Sequence, residues 1–214
     1  MFKTVLSISL VLLLNVSLKA QDTVRLVHKR YTTVFSKTLK YPVLVEWWLT
    51  KEALTCVDEV PRSERFYVDP FLATETNLAN DYIRSGFDRG HMAPSADNQC
   101  FGLIVMKECF YFSNIAPQAP NLNQGDWKTL EDLTRTLTLK YDSVKVWAGS
   151  VGEQKKIGRV SVPQKCWKVI YIHKTRQWFY YIFDNNNMKP NGIEDNKTTL
   201  QEIQKIINLK FRLK

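Results

Sequence analysis

Over most of the chain, apolar residues fall in short alternating or β-branched runs, and two stretches carry helical spacing instead. Arg25 to Ser36 and Val43 to Thr50 (VLVEWWLT) are rich in β-branched and aromatic residues and predict strands joined by a turn over Lys37 to Pro42. Further strands are expected at Val144 to Ala148, Lys168 to Ile172 and Gln177 to Asp184, the last two forming a hairpin through His173 to Arg176. Phe110 to Ser113 is a candidate short buried strand. Within Asn123 to Lys140, Trp127, Leu130, Leu133 and Leu137 recur at steps of three, three and four, which puts them on one face of a helix. A last helix is expected near Thr198 to Ile207, with Leu200, Ile203, Ile206 and Ile207 on one face, and Ala96 to Cys109 is a third helical candidate. Cys56 to Asp69 reads as a polar connection. Strands and helices mix without βαβ alternation, and no repeat or low-complexity linker divides residues 21–214. The expected class is therefore α+β, with a central, mostly antiparallel sheet flanked by helices in one domain.

The first twenty residues follow a different pattern. Lys3 precedes an almost wholly apolar run from Val5 to Val16, and Ser17-Leu18-Lys19-Ala20 ends in a small residue. This reads as a secretory signal peptide cleaved after Ala20, because the apolar run is well short of the roughly 20 residues needed to span a bilayer. The expected location is secreted or periplasmic, with no membrane contact after cleavage.

Composition narrows the picture. With 214 residues, 44% of them hydrophobic, the chain is too apolar and too varied for a disordered, collagen-like or coiled-coil protein. Its 30 Lys and Arg outnumber 21 Asp and Glu, and losing Lys3 and Lys19 with the signal peptide still leaves 28 against 21. That surplus belongs to the exported domain and suits a polyanionic partner. The four cysteines, Cys56, Cys100, Cys109 and Cys166, allow two disulfides in three connectivities, with Cys100 and Cys109 the first pair to test. Neither a C-x-x-C pair nor a histidine cluster is present, which argues against zinc.

Of the three histidines, His28 in a strand-like segment and His173 at a hairpin tip read as structural or solvated. His91 lies in Phe87-Asp88-Arg89-Gly90-His91-Met92-Ala93-Pro94, where carboxylate, guanidinium, glycine and imidazole fall within four positions. A neutral imidazole can take a proton from water at neutral pH, and a guanidinium presents a planar fork of donors to phosphate. Gly90 is expected to let the backbone turn so that Arg89 and His91 point the same way. Downstream, Asn123 stands at the start of the predicted helix, where its side-chain oxygen can cap the helix or bind a hard cation. Glu131 follows eight residues later, about 12 Å along a straight helix. The two can therefore share a metal only if the helix is entered at an angle or water bridges them. Arg135, one turn on, is placed to orient the Glu131 carboxylate.

FDRGHMAPSAD followed by YFSNIAPQ and NLNQGDWKTLE closely resembles the DNA/RNA non-specific endonucleases, a family of ββα-metal fold. The resemblance extends over nearly all of the mature chain, through YTTVFSKTLKYPVLVEWWLTKE, SERFYVDP, VWAGSVG, VPQKCWKVIYI and YYIFDNN. It implies that His91 is the general base, Asn123 the direct protein ligand of Mg²⁺ (Mn²⁺ substituting), and Glu131 the group holding metal-bound waters. Arg65 and Arg89 would bind substrate and stabilise charge at phosphorus, with Arg62, three residues earlier, as the other candidate for the upstream arginine. Asn114 would support the site and Asp88 hold the loop. The implied substrates are DNA and RNA, cut to 5′-phosphate products without base-specific readout. Two other readings stand beside this one: a non-catalytic secreted nucleic-acid-binding module, and a phosphodiesterase for small nucleotides.

Overall fold

The computed structural model describes residues 22–73 and 76–207; the expected signal peptide lies outside them. A six-stranded antiparallel sheet forms the centre, built from β1 (Thr23–Val27), β2 (Thr32–Ser36) and β3 (Tyr41–Thr50), then β6 (Ser143–Val151), β9 (Lys165–Ile172) and β10 (Gln177–Asp184) in that spatial order. Between β3 and β6 the chain makes β4 (Asp88–His91), the helix α1 (Gly102–Cys109), β5 (Ile115–Gln118) and the long helix α2 (Trp127–Tyr141). It returns through β6 (Ser143–Val151), the small hairpin β7 (Lys155–Ile157) and β8 (Val160–Val162), then β9 (Lys165–Ile172), β10 (Gln177–Asp184) and α3 (Leu200–Ile206). No helix among the described residues is long and apolar enough to cross a membrane.

Both faces of the sheet carry buried apolar clusters. On β3, Val43, Val45, Trp47 and Leu49 point to one face and join the core beneath α2, which contributes Trp127 and Leu130. On the opposite face, Trp147, Trp167, Val169 and Tyr171 are covered by Ile203 and Ile207 from the α3 end of the chain. Thr199 starts α3 as its cap, accepting a hydrogen bond from the Glu202 amide.

Several expected elements are corrected. Arg25 to Ser36 is two strands, because the chain reverses tightly where the His28 amide bonds the Tyr31 carbonyl at 2.9 Å. Ala96 to Cys109 is helical only from Gly102; before it stand two short 3₁₀ turns, Ser95–Asp97 and Gln99–Phe101. Phe110 to Ser113 is not a strand. The amides of Phe110 and Tyr111 bond back to Lys107 and Glu108, a single bridge joins Tyr111 to Tyr67, and a 3₁₀ turn over Phe112–Asn114 follows, so a continuous strand starts only at Ile115. The disulfide joins Cys56 to Cys100, with Cα atoms 5.6 Å apart, and not Cys100 to Cys109. Cys109 faces inward from α1 against Met106 and Phe110, and it and Cys166 are buried free thiols.

Candidate active site

Two local structures bring the DRGH and NLNQGDW segments together. The first is the β4–β5 hairpin, in register Asp88 to Gln118, Arg89 to Pro117, Gly90 to Ala116 and His91 to Ile115. Residues two apart on a strand share a face, so Arg89 and His91 point the same way without a special turn. The expected role of Gly90 is corrected accordingly. A Cβ at Gly90 would lie 1.9 Å from Gln118 Oε1, so glycine is needed to make room for that buried carboxamide.

Asn114 sits behind this hairpin, fully buried. Its Oδ1 accepts from the Ala93 amide, and its Nδ2 donates to the carbonyls of Ala93 and Cys109. It fixes the backbone just past His91, which is a supporting place and not a cleft-facing one.

The second structure is the way α2 begins. Leu122–Asp126 forms a wide π-type turn, and Gly125 leaves helical geometry at φ −102°, ψ −111°. Asn123 therefore does not lie on a straight extension of α2, and the angled approach that a shared site with Glu131 requires is present. A Cβ on Gly125 would meet Pro190 Cγ at 2.5 Å, so the 184–192 loop packs directly on this bend. Asn185 fastens the same loop: it is 1% exposed, accepts from the Ala119 amide and donates to the carbonyls of Pro117 and Pro163.

These structures open onto a cleft of about 470 Å³ lined by Arg62, Arg89, His91, Asn123, Gln124, Lys128, Glu131 and Arg135. Asp88 fixes its floor, its Oδ2 accepting from Asn123 Nδ2 and Gln124 Nε2, both at 2.8 Å. A carboxylate only accepts, so the amide nitrogen of Asn123 turns toward Asp88 and its Oδ1 is left for the cleft. Together with the Glu131 carboxylate, 15% exposed, this makes an all-oxygen donor set with room for water. That chemistry fits a hard cation such as Mg²⁺ and does not resemble a Zn²⁺ site.

Arg65 is not among the cleft-lining residues. It is exposed, and its backbone bonds the Ser63 hydroxyl. Arg62 lines the cleft in its stead, with Nη1 at 3.0 Å from Ser95 Oγ and the guanidinium 5.2 Å from the Phe110 ring centroid. Arg89 lies over Phe66 and Tyr82 and donates to the Ala79 carbonyl. Arg135 does not orient Glu131 as expected. Its two terminal nitrogens go to Asp97 and Asp132, and the cation nearest Glu131 is Lys168, 3.8 Å away on β9. A lysine in the strand KCWKVIYI reads as solvent-facing until both sheet faces are known to be covered.

His91 is 8% exposed, packed against Phe66 and Phe110, with its carbonyl held by Trp127 Nε1 at 3.2 Å. Its Nε2 is buried without a hydrogen-bond partner among the described residues, and the residue lines the cleft. Burial, reinforced by the Arg62 charge, pushes the imidazole down to about 3, so the ring is neutral at physiological pH. Burial pushes Glu131 the other way, up toward its neutral form, and the Lys168 charge opposes that shift.

The sequence profile of "DNA/RNA non-specific endonuclease" matches residues 12–213. The chain is 30% identical over 199 residues to the "Nuclease" of Serratia marcescens, covering 85% of this chain and 72% of that one. It is 48% identical over 69 residues to human "Endonuclease G, mitochondrial", a match spanning 32% of this chain and 23% of that protein. The chain thus spans about a quarter of the length of that mitochondrial relative. Among solved structures, one of an EndoG/EndoGI complex superposes with a TM-score of 0.76 at 27% identity, over 87% of this chain and 84% of that one. With the profile covering residues 12–213 and the fold matched by the EndoG/EndoGI structure, the chain belongs to the DNA/RNA non-specific endonuclease family.

Proposed function

We propose that the chain is a divalent-metal-dependent endonuclease that hydrolyses phosphodiester bonds in DNA and RNA to 5′-phosphate products, with His91 as general base. The observation that carries this reading is the gathering of His91, Arg62, Arg89, Asn123 and Glu131 around one cleft.

Each group has a defined task. His91 accepts a proton from the attacking water. Arg89, with Arg62 in the part first given to Arg65, binds the scissile phosphate and offsets its added charge. Asn123 Oδ1 and the Glu131 carboxylate would hold Mg²⁺ directly and through water, and Asp88 keeps the Asn123 amide turned the right way. When bound, the metal supplies charge stabilisation at the phosphoryl and leaving oxygens. Asn114 maintains the backbone behind His91. Lys128, exposed at the cleft edge, adds a phosphate contact without base discrimination. We also read residues 1–20 as an export signal, which places the substrate outside the cytoplasm.

Incubation with plasmid DNA and with RNA tests the reading. Cleavage of both in Mg²⁺ or Mn²⁺, its loss in EDTA, and ends that lose phosphate from the 5′ side are the expected results. Binding without cleavage would leave the binding-module reading, and better turnover of dinucleotides than of long DNA would leave the small-nucleotide phosphodiesterase.

A further inference from the structure

Lys168 is a buried lysine in the core of a nuclease-like domain, 1% exposed. Its ammonium lies 3.8 Å from Glu131 Oε1 and 4.0 Å from the centroid of the Trp127 ring. Trp127 is itself 1% exposed, and its indole N–H holds the His91 carbonyl at 3.2 Å. A single side chain from β9 thus touches the carboxylate assigned to metal-bound water and the ring that fixes the backbone of the assigned base. Taking an ammonium out of water is costly unless it is paired, and here one carboxylate and one aromatic face provide the pairing. Arg135, the other cation of this region, is already engaged by Asp97 and Asp132.

We propose that Lys168 is a positioning residue that acts through Glu131: it holds Oε1 of that carboxylate against the sheet so that the remaining oxygen is presented to the cleft. The inference rests on the metal-dependent nuclease reading above. Partners that orient a metal-binding group typically change metal affinity or activity by about 10- to 100-fold when removed, and Lys168→Met removes the charge while keeping a long flexible side chain.

The test compares wild type, Glu131→Gln, Lys168→Met and the double variant, measuring Mn²⁺ binding by calorimetry together with kcat and KM on long DNA. Lys168→Met is expected to weaken Mn²⁺ binding and lower kcat by about 10- to 100-fold, with KM little changed because the lysine does not reach substrate. The double variant is expected to match Glu131→Gln in both quantities, since Lys168 acts through a carboxylate that is then absent. The double variant leaves neither charge buried alone, whereas each single variant strands one, so folding of all three is checked by circular dichroism, and the comparison of the double variant with folded Glu131→Gln stands even if Lys168→Met fails to fold. Wild-type Mn²⁺ affinity and kcat in Lys168→Met overturn the proposal, as does a further loss in the double variant beyond Glu131→Gln. A wild-type protein that neither cuts nucleic acid nor binds Mn²⁺ overturns the nuclease reading itself, which separates that failure from this one.

Discussion

His28 and His91 are buried to the same degree, each 8% exposed, yet they are surrounded by opposite chemistry. His28 Nε2 lies 3.1 Å from Asp69 Oδ2. Asp69 is fully buried, accepts from the Ser113 hydroxyl and the Phe71 amide, and stays below its ordinary range because these neighbours outweigh its burial. His28 also packs on Tyr31, whose hydroxyl donates to the Glu108 carbonyl at 2.6 Å, so the knot ties the β1–β2 reversal to the segment before β5. His91 has the Arg62 guanidinium where His28 has the Asp69 carboxylate. Burial alone does not mark a reactive histidine. The charge of what faces it separates the two: a carboxylate at His28 and a guanidinium at His91.

This contrast can be broken by exchanging effects between the two sites. The largest expected change is in His91→Ala, whose kcat on DNA should fall about 10²- to 10⁴-fold, with affinity for the polymer retained; gel-shift and cleavage assays on the same preparation check both. Arg62→Ala is expected to cost about 10- to 100-fold in kcat/KM, against less than about threefold for Arg65→Ala, because only the first faces the cleft. The reverse order would return the catalytic role to Arg65. His28→Ala should leave kcat within about threefold while lowering unfolding free energy by about 1–3 kcal/mol, since it strips a partner from the buried Asp69 carboxylate. Denaturant melts and steady-state rates separate these two outcomes, and a lost kcat in folded His28→Ala would end the distinction.

The chemistry was more legible in the sequence than its supports were. Asp88, Arg89, His91, Asn123 and Glu131 sit in contiguous motifs whose residue types carry the meaning, and all but Asp88, which holds the Asn123 amide from behind, line one cleft. Which of Arg62 and Arg65 lines the cleft was not legible because residues 55–66 have no regular period from which to read a facing direction. Lys168 was hidden by the strand pattern, since alternation distinguishes two faces but does not say that both are covered. Asn185 and Pro190 were hidden because they act across more than 60 positions, on Ala119 and Gly125. Among the fold elements, the central strands and α2 follow their apolar spacing. The misread strand at Phe110 to Ser113 shows the limit of that signal, because Phe110 and Phe112 alternate with polar neighbours on a backbone that is turning.

The neutrality of His91 is the point on which the contrast turns. A depressed imidazole remains unprotonated well below its ordinary 6.5, so it imposes no loss of the basic form until the pH nears about 3. By linkage, the folded state loses stability as pH falls from about 6.5 toward about 3, where the unfolded imidazole takes a proton and the folded one does not. Nitrogen-detected NMR of the His91 ring across a titration from about pH 8 to pH 5 measures this directly. The account predicts a neutral ring with no inflection over that range. A protonation step near the ordinary histidine value would contradict it.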